Sequence, residues 1–162
     1  MIIMNGAHWH LAVNHLPIIF PVVGVIVMIT GLIFKSEAVK RTAFMIFILG
    51  AFTAVVAMST GEEAESVVKK ISGIIKDYIE RHEEAAETFA LLAYVLGIIS
   101  LIGLWASFKQ KVFSNIFAIG VIVFTFIVLF FATQTGTTGG EIRHIEIRNG
   151  NDTPAIENGD SY

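Results

Sequence analysis

The stretch Val112–Gln134 reads VFSNIFAIGVIVFTFIVLFFATQ and holds neither a charged side chain nor a histidine over its 23 residues. At a rise of about 1.5 Å per residue, a helix of this length crosses the roughly 30 Å hydrocarbon core of a bilayer. Three more runs have the same character: Leu16–Phe34, Thr42–Thr60 and Thr88–Phe108. The sequence therefore predicts an all-α fold, an integral membrane four-helix bundle with up-down-up-down topology.

The overall composition also indicates a membrane protein. Of the 162 residues, 54% are hydrophobic and 15% are charged, whereas soluble domains have about 45–50% and about 25%. The length fits one four-helix transmembrane domain over residues 1–148, followed by a polar tail over 149–162 that we expect to be flexible. The net charge of −3 gives no sign of a nucleic-acid partner. The absence of cysteine excludes thiolate metal sites and covalently attached haem, which leaves histidine and carboxylate as ligands.

The basic side chains indicate how the chain is oriented in the membrane. The two short loops, 35–41 and 109–111, hold five of them against a single carboxylate, Glu37. The five are Lys35, Lys40, Arg41, Lys109 and Lys111. The opposite side holds six, spread over longer segments, and the positive-inside rule gives most weight to short flanking loops. We therefore expect a multi-pass protein of the bacterial inner membrane with both termini extracytoplasmic.

The loop between the second and third runs has a helical pattern of its own. Its apolar residues recur at helical spacing, with lysines and carboxylates on the other face. They are Val67, Val68, Ile71, Ile74, Ile75, Tyr78 and Ile79. This pattern predicts an amphipathic extracytoplasmic helix over Glu63–Glu80, lying in the headgroup plane or capping the bundle. A plain surface connector is the alternative.

The predicted connectivity brings all five histidines to one face of the membrane. His15 and His82 open the first and third runs, which lie diagonally opposite in a square bundle, so their side chains can face each other. Two axial imidazoles on a haem iron need that arrangement. Because Pro17 belongs in a first helical turn, we expect His8 and His10 to lie on a segment before the helix.

A glycine-rich segment follows the fourth run. Gly136 can cap that helix, and Gly139 and Gly140 permit a close backbone approach to a ligand. Arg143 and His144 then project back toward the bundle mouth, where an arginine can pair with a haem propionate. The plainer interpretation is a turn that ends the membrane span.

Two of these motifs resemble those of a known protein family. The sequence from His10 to Ile18 reads His-x4-His-x-Pro-Ile, and Gly139 to His144 reads Gly-Gly-x-x-x-His. Together with His82, they resemble a family of small bacterial four-helix membrane proteins of unknown function, often found beside or fused to cytochrome c modules. The resemblance covers about residues 8–148 and implies redox or haem work. The chain departs from it at Leu11, where proline is common, and at Leu16, where phenylalanine is common.

Three functions follow from these observations, and whether the protein is an enzyme stays open. The first is a membrane b-type haem-binding redox protein, a cytochrome b type of electron-transport subunit with quinol and an extracytoplasmic cytochrome c as partners. Its haem b ligands would be His15 and His82, and Arg143 would pair with a propionate. His144 and His10 would be either a second ligand pair or residues that support the first pair. The second is a copper, zinc or iron site. Its ligands would be His15, His82 and His144, with one of the carboxylates Glu62, Glu65 or Glu87. The third is a cofactor-free structural or assembly subunit of a respiratory complex or a homo-oligomer. Transporters and channels are disfavoured because the middles of the runs hold no ionisable residue.

Overall fold

The computed structural model describes residues 5–70, 76–109 and 111–148, and these residues form only helices and short turns. The helices are α1 (Gly6–Val13), α2 (Leu16–Ile33), α3 (Glu37–Val68), α4 (Lys76–Lys109) and α5 (Lys111–Glu141), followed by a 3-10 helix over Ile145–Ile147. In this part of the chain, four segments are long and apolar enough to cross a membrane. They are Gly6–Ile33, Glu37–Val68, Lys76–Lys109 and Phe113–Glu141. The prediction of an all-α chain with four such helices is confirmed.

The four long helices form a closed ring. Each of α2, α3 and α4 packs against the next helix in the chain, and α5 packs back against α2, while α1 lies on α3. Between α2 and α3, Gly24 lies against the Phe47 ring and Gly31 against Lys40, so the paired residues run in opposite order. Small residues permit these close approaches between helices.

The core of the ring is closely packed with apolar side chains. Met28, Phe44, Phe47, Leu96, Val121 and Val128 are almost fully buried. The outer surface is also apolar, and large side chains such as Phe52, Trp105 and Phe130 are 60–64% exposed. A water-soluble protein seldom exposes contiguous apolar surface of this extent. The surface is therefore suited to contact with lipid.

Helices α3 and α4 are longer than the apolar runs that predicted them. They contain 32 and 34 residues, so α4 spans about 50 Å, well beyond the roughly 30 Å hydrocarbon core. The extensions are polar and lie at one end of the bundle. Helix-spaced ion pairs stabilise them, including Lys76–Glu80 at 2.7 Å and Arg81–Asp77 at 3.0 Å.

These extensions contain the two ends of the predicted amphipathic helix Glu63–Glu80. Its first residues belong to the last turns of α3, which ends at Val68, and its last residues to the first turns of α4. The middle, 71–75, lies outside the described residues, as does the predicted tail over 149–162. In the described residues, the two ends of this segment therefore belong to the long helices α3 and α4. Helix α3 continues beyond Thr60 because Glu, Ala and Ser residues there are compatible with a helix.

The helical structure is interrupted between α1 and α2, at Asn14 and His15. The Asn5 side chain caps α1 by accepting a hydrogen bond of 3.2 Å from the His8 backbone N–H. Pro17 lies in the first turn of α2, as expected for a residue that lacks an N–H. The residues before Pro17 thus form a short helix of their own.

The opposite end of the bundle contains a buried lysine. The Lys40 side chain is 2% exposed, and its ammonium donates to Glu37 at 2.8 Å and to Asn115 at 2.5 Å. The Ser114 hydroxyl donates to the other Glu37 oxygen at 3.2 Å. A buried ammonium is tolerated only with such partners. This network joins the start of α3 to the start of α5.

Candidate functional site

His10 lies on α1 and is held by α3. Its Nδ1 is 3.0 Å from the carbonyl oxygen of Ala57 and 3.4 Å from the hydroxyl of Thr60. A carbonyl oxygen only accepts, and the Thr60 hydroxyl is directed at the backbone carbonyls of Val56 and Ala57. The hydrogen of a neutral His10 ring is therefore on Nδ1, which leaves the lone pair on Nε2.

His82 lies on α4 and is held by α5 in the same manner. Its Nδ1 is 3.3 Å from the Thr138 hydroxyl oxygen. That hydroxyl donates to the carbonyls of Gln134 and Thr135, each at 3.1 Å, so it accepts from the imidazole. A neutral His82 thus also carries its hydrogen on Nδ1 and its lone pair on Nε2.

Each of these rings also lies against a glycine of the neighbouring helix. A methyl group at Gly61 would be 3.4 Å from Cε1 of His10, and one at Gly139 would be 3.0 Å from Cε1 of His82. The second distance is shorter than most van der Waals contacts, so a side chain at Gly139 would require the His82 ring to shift by a few tenths of an ångström. The sequence predicted that Gly139 permits a close backbone approach to a ligand, and in the structure the group packed against Gly139 is the His82 imidazole of the chain itself.

His10 and His82 lie at the same end of the bundle. His10 contacts α3 through Ala57 and Thr60, and His82 contacts α5 through Thr138. The packing of α1 on α3 and of α4 on α5 therefore places at this end two imidazoles for which the same tautomer is favoured. We refer to His10 and His82 as the histidine pair.

The remaining histidines have other surroundings. His15 is exposed and precedes α2 without making a capping hydrogen bond. His8 is exposed and its Nδ1 is 2.8 Å from the Asn5 side chain. His144 is exposed and lies 2.9 Å from Glu146. The Glu146 carboxylate accepts from its own backbone N–H and from His144, and these hydrogen bonds lower its pKa. His10 and His82 are therefore half-buried at this end of the bundle, whereas His15 is exposed.

The carboxylates proposed as metal ligands do not join the histidine pair. Glu65 forms an ion pair with Lys69 along α3, and Glu87 is exposed on α4. Across residues 5–70, 76–109 and 111–148, no group of three or more histidine, aspartate and glutamate side chains is arranged to hold a metal ion. Among the described residues, no three of the predicted metal ligands therefore come together to form a site.

Arg148 lies at the same end of the bundle as His82, which we call the mouth. The sequence did not indicate a role for this residue. Its side chain is buried and donates to the carbonyls of Glu141 at 2.7 Å and Ile142 at 3.0 Å, at the end of α5. The guanidinium also lies 4.2 Å from the centre of the Tyr78 ring. Arg148 therefore holds the segment after α5 against the first turn of α4, one turn from His82. Arg143, the arginine predicted for this region, is exposed.

Comparisons with known protein families, with curated proteins and with solved structures find no match for this chain. The functional proposal therefore rests on the histidine pair and on the helices that contact it.

Proposed function

We propose that this protein is a membrane b-type haem-binding electron-transfer protein, in which His10 and His82 would hold the haem iron. The carrying observation is that Nδ1 of each ring lies within hydrogen-bond distance of an oxygen on a neighbouring helix, an arrangement that favours the hydrogen on Nδ1 and the lone pair on Nε2. Histidines that bind metals usually have this arrangement, because the hydrogen bond fixes the tautomer and the ring orientation. The geometry thus favours His10 in place of His15 as the partner of His82.

The donor set fits haem better than a bare metal ion. Structural zinc sites use four protein ligands and catalytic ones three, whereas the histidine pair supplies two imidazoles. The porphyrin would supply four nitrogens to its iron, so two imidazoles of the protein would be enough to hold the group. When bound, haem would supply one-electron redox chemistry. The chain's own residues hold the imidazoles, through Ala57, Thr60 and Thr138, and Arg143 at the mouth is available for a propionate.

The proposal includes a topology and a location. We propose an up-down-up-down bundle in the bacterial inner membrane with both termini extracytoplasmic and the segment 63–80 at that face. The opposite order of paired residues along α2 and α3 supports the topology. The concentration of basic side chains at the end away from the histidine pair supports the orientation.

The partners follow from the position of the histidine pair at one end. A single redox centre there would receive and deliver electrons at the same face. Quinol in the outer leaflet and an extracytoplasmic cytochrome c fit such a centre. The resemblance of the His10–Ile18 motif to a family found beside cytochrome c modules agrees with this proposal.

Absorbance spectroscopy of the purified protein after addition of haem tests the proposal. The wild-type protein is expected to show a Soret band and sharp α and β bands on reduction. His10→Ala and His82→Ala should each lose these bands, while the matched controls His8→Ala and His15→Ala keep them. Loss of the bands in His15→Ala with retention in His10→Ala would return the ligand role to His15.

The two alternative functions predict different results in the same preparation. A colourless protein that contains stoichiometric copper, zinc or iron by elemental analysis would support the non-haem metal site. A protein that binds neither haem nor metal would support the structural or assembly subunit. Either result would rule out the haem proposal.

A further inference from the structure

The end of the bundle away from the histidine pair holds an arginine in a fixed orientation. Arg41, on the first turns of α3, donates from Nε to the Ser107 hydroxyl at 3.1 Å and from Nη2 to the Ser107 carbonyl at 2.8 Å. Its guanidinium lies 4.0 Å from the centre of the Phe108 ring. Three contacts with α4 therefore fix the plane of the guanidinium before any ligand is bound.

The fixed guanidinium keeps donors available. Arginine has five N–H donors in a planar fork, and the hydrogen bonds to Ser107 use two of them. The nearby Glu37 carboxylate is hydrogen bonded to Lys40 and Ser114. The remaining donors of Arg41 match the oxygens of a phosphate, which guanidinium groups bind in a bidentate manner.

The position of Phe108 places this arginine at the edge of the membrane. Phe108 is the last residue of an uncharged apolar run, and its side chain is 64% exposed on the lipid-facing surface. Lys109 follows it directly, and Lys35 lies in the other short loop; both are exposed. The five basic residues at this end outnumber Glu37 by four. The site therefore combines an exposed aromatic side chain at the end of an apolar run with the basic side chains that border it.

We propose that Arg41, Phe108 and Lys109 bind the headgroup phosphate of an anionic phospholipid in the leaflet at this end. The lipid phosphate would bind the free donors of Arg41, and its acyl chain would pack beside Phe108. A net negative lipid is favoured over a zwitterionic one because the surrounding basic residues attract the extra charge. This inference does not depend on haem binding.

Thermal unfolding of the purified full chain in a mild detergent tests the proposal, with phosphatidylglycerol, phosphatidylcholine or inorganic phosphate added in turn. We expect phosphatidylglycerol to raise the unfolding midpoint more than the other two. Arg41→Gln should lose at least half of that difference. Arg81→Gln is the matched control, since it removes the same charge from an exposed arginine at the opposite end, and it should keep the full difference.

Two further measurements keep the test decisive. Because Arg41 also joins α3 to α4, the double variant Lys35→Gln/Lys109→Gln changes only exposed side chains and should also reduce the phosphatidylglycerol effect. Native mass spectrometry should count one fewer retained phosphatidylglycerol in Arg41→Gln. Equal shifts with both lipids, or an effect retained in the Arg41 and double variants, would overturn the proposal. A full shift with inorganic phosphate would assign the site to a free anion instead.

Discussion

Replacement of Gly139 by alanine is expected to weaken haem binding without touching either proposed ligand. The added methyl would lie 3.0 Å from Cε1 and 3.2 Å from Nδ1 of His82. Both distances are shorter than ordinary contact, so the ring must move away by a few tenths of an ångström. Because the His82 Nδ1 to Thr138 hydroxyl distance is already 3.3 Å, a movement of this size breaks that hydrogen bond.

The size of the effect follows from the lost hydrogen bond. A net hydrogen bond contributes about 0.5–1.5 kcal/mol, and about 1.4 kcal/mol corresponds to a tenfold change in affinity. Gly139→Ala should therefore lower haem affinity about 2- to 12-fold. Gly136→Ala is the matched control, because it lies one turn away on α5 and its methyl would meet nothing within 4 Å.

Haem affinity would be measured by titrating haem into the haem-free variants and following the Soret absorbance. Both alanines favour the helix over glycine by a similar amount, so the comparison isolates the contact with His82. Nitrogen chemical shifts of the histidine rings would report separately whether Nδ1 of His82 stays protonated. Equal affinities for Gly139→Ala and Gly136→Ala would refute the role assigned to the Thr138 hydrogen bond.

Further predictions concern packing, buried charge, backbone conformation and topology. Gly24→Ala places a methyl 2.7 Å from the fully buried Phe47 ring and should destabilise the fold by about 1–3 kcal/mol. In thermal unfolding, the control Gly120→Ala should show no such loss, because its methyl meets open space. Lys40→Met leaves Glu37 and Asn115 without their shared donor and should lower the free energy of unfolding by about 1–3 kcal/mol. The double variant Lys40→Met/Glu37→Gln should recover part of this loss, and wild-type stability of the single variant would contradict the role of the network. Lys35 has a φ of 52° in the turn after α2, so Lys35→Gly should stabilise the fold by about 1 kcal/mol, and an unchanged unfolding midpoint would argue against strain there. The chain has no cysteine of its own, so Ser36→Cys and Ser66→Cys should react with a membrane-impermeant thiol reagent from opposite sides; labelling of both from the same side would rule out the proposed topology.

The membrane helices were predictable because their signal is local. A run such as Leu16–Phe34 must be helical to satisfy its backbone in lipid, whatever its neighbours are. The ends of α3 and α4 were less predictable, since a polar helix beyond the bilayer has no apolar run to mark it. Residues such as Glu62 and Glu84 fit a helix, a loop or an interfacial segment equally well by composition.

The choice of His10 as the partner of His82 depended on tertiary structure. The sequence placed His15 at the start of a helix and His10 before it, and Pro17 was correctly assigned to the first turn. What the sequence did not indicate is that the residues before Asn14 form α1, which packs on α3. That contact buries part of His10 and leaves His15 exposed. The same limit applies to Arg148, whose partners lie at the end of α5 and the start of α4.

The packing of the bundle interior restricts where electron transfer could occur. Phe44 and Phe47 of α3 and Met28 of α2 fill the centre, each with 0% exposure. A planar cofactor the size of haem would displace several of these side chains, at about 3–5 kcal/mol for each large residue that lost its packing. The mouth imposes no such cost, because His10 and His82 are only half-buried there. A redox centre on the histidine pair would therefore exchange electrons at one face, and a second partner protein would be needed to carry them across the membrane.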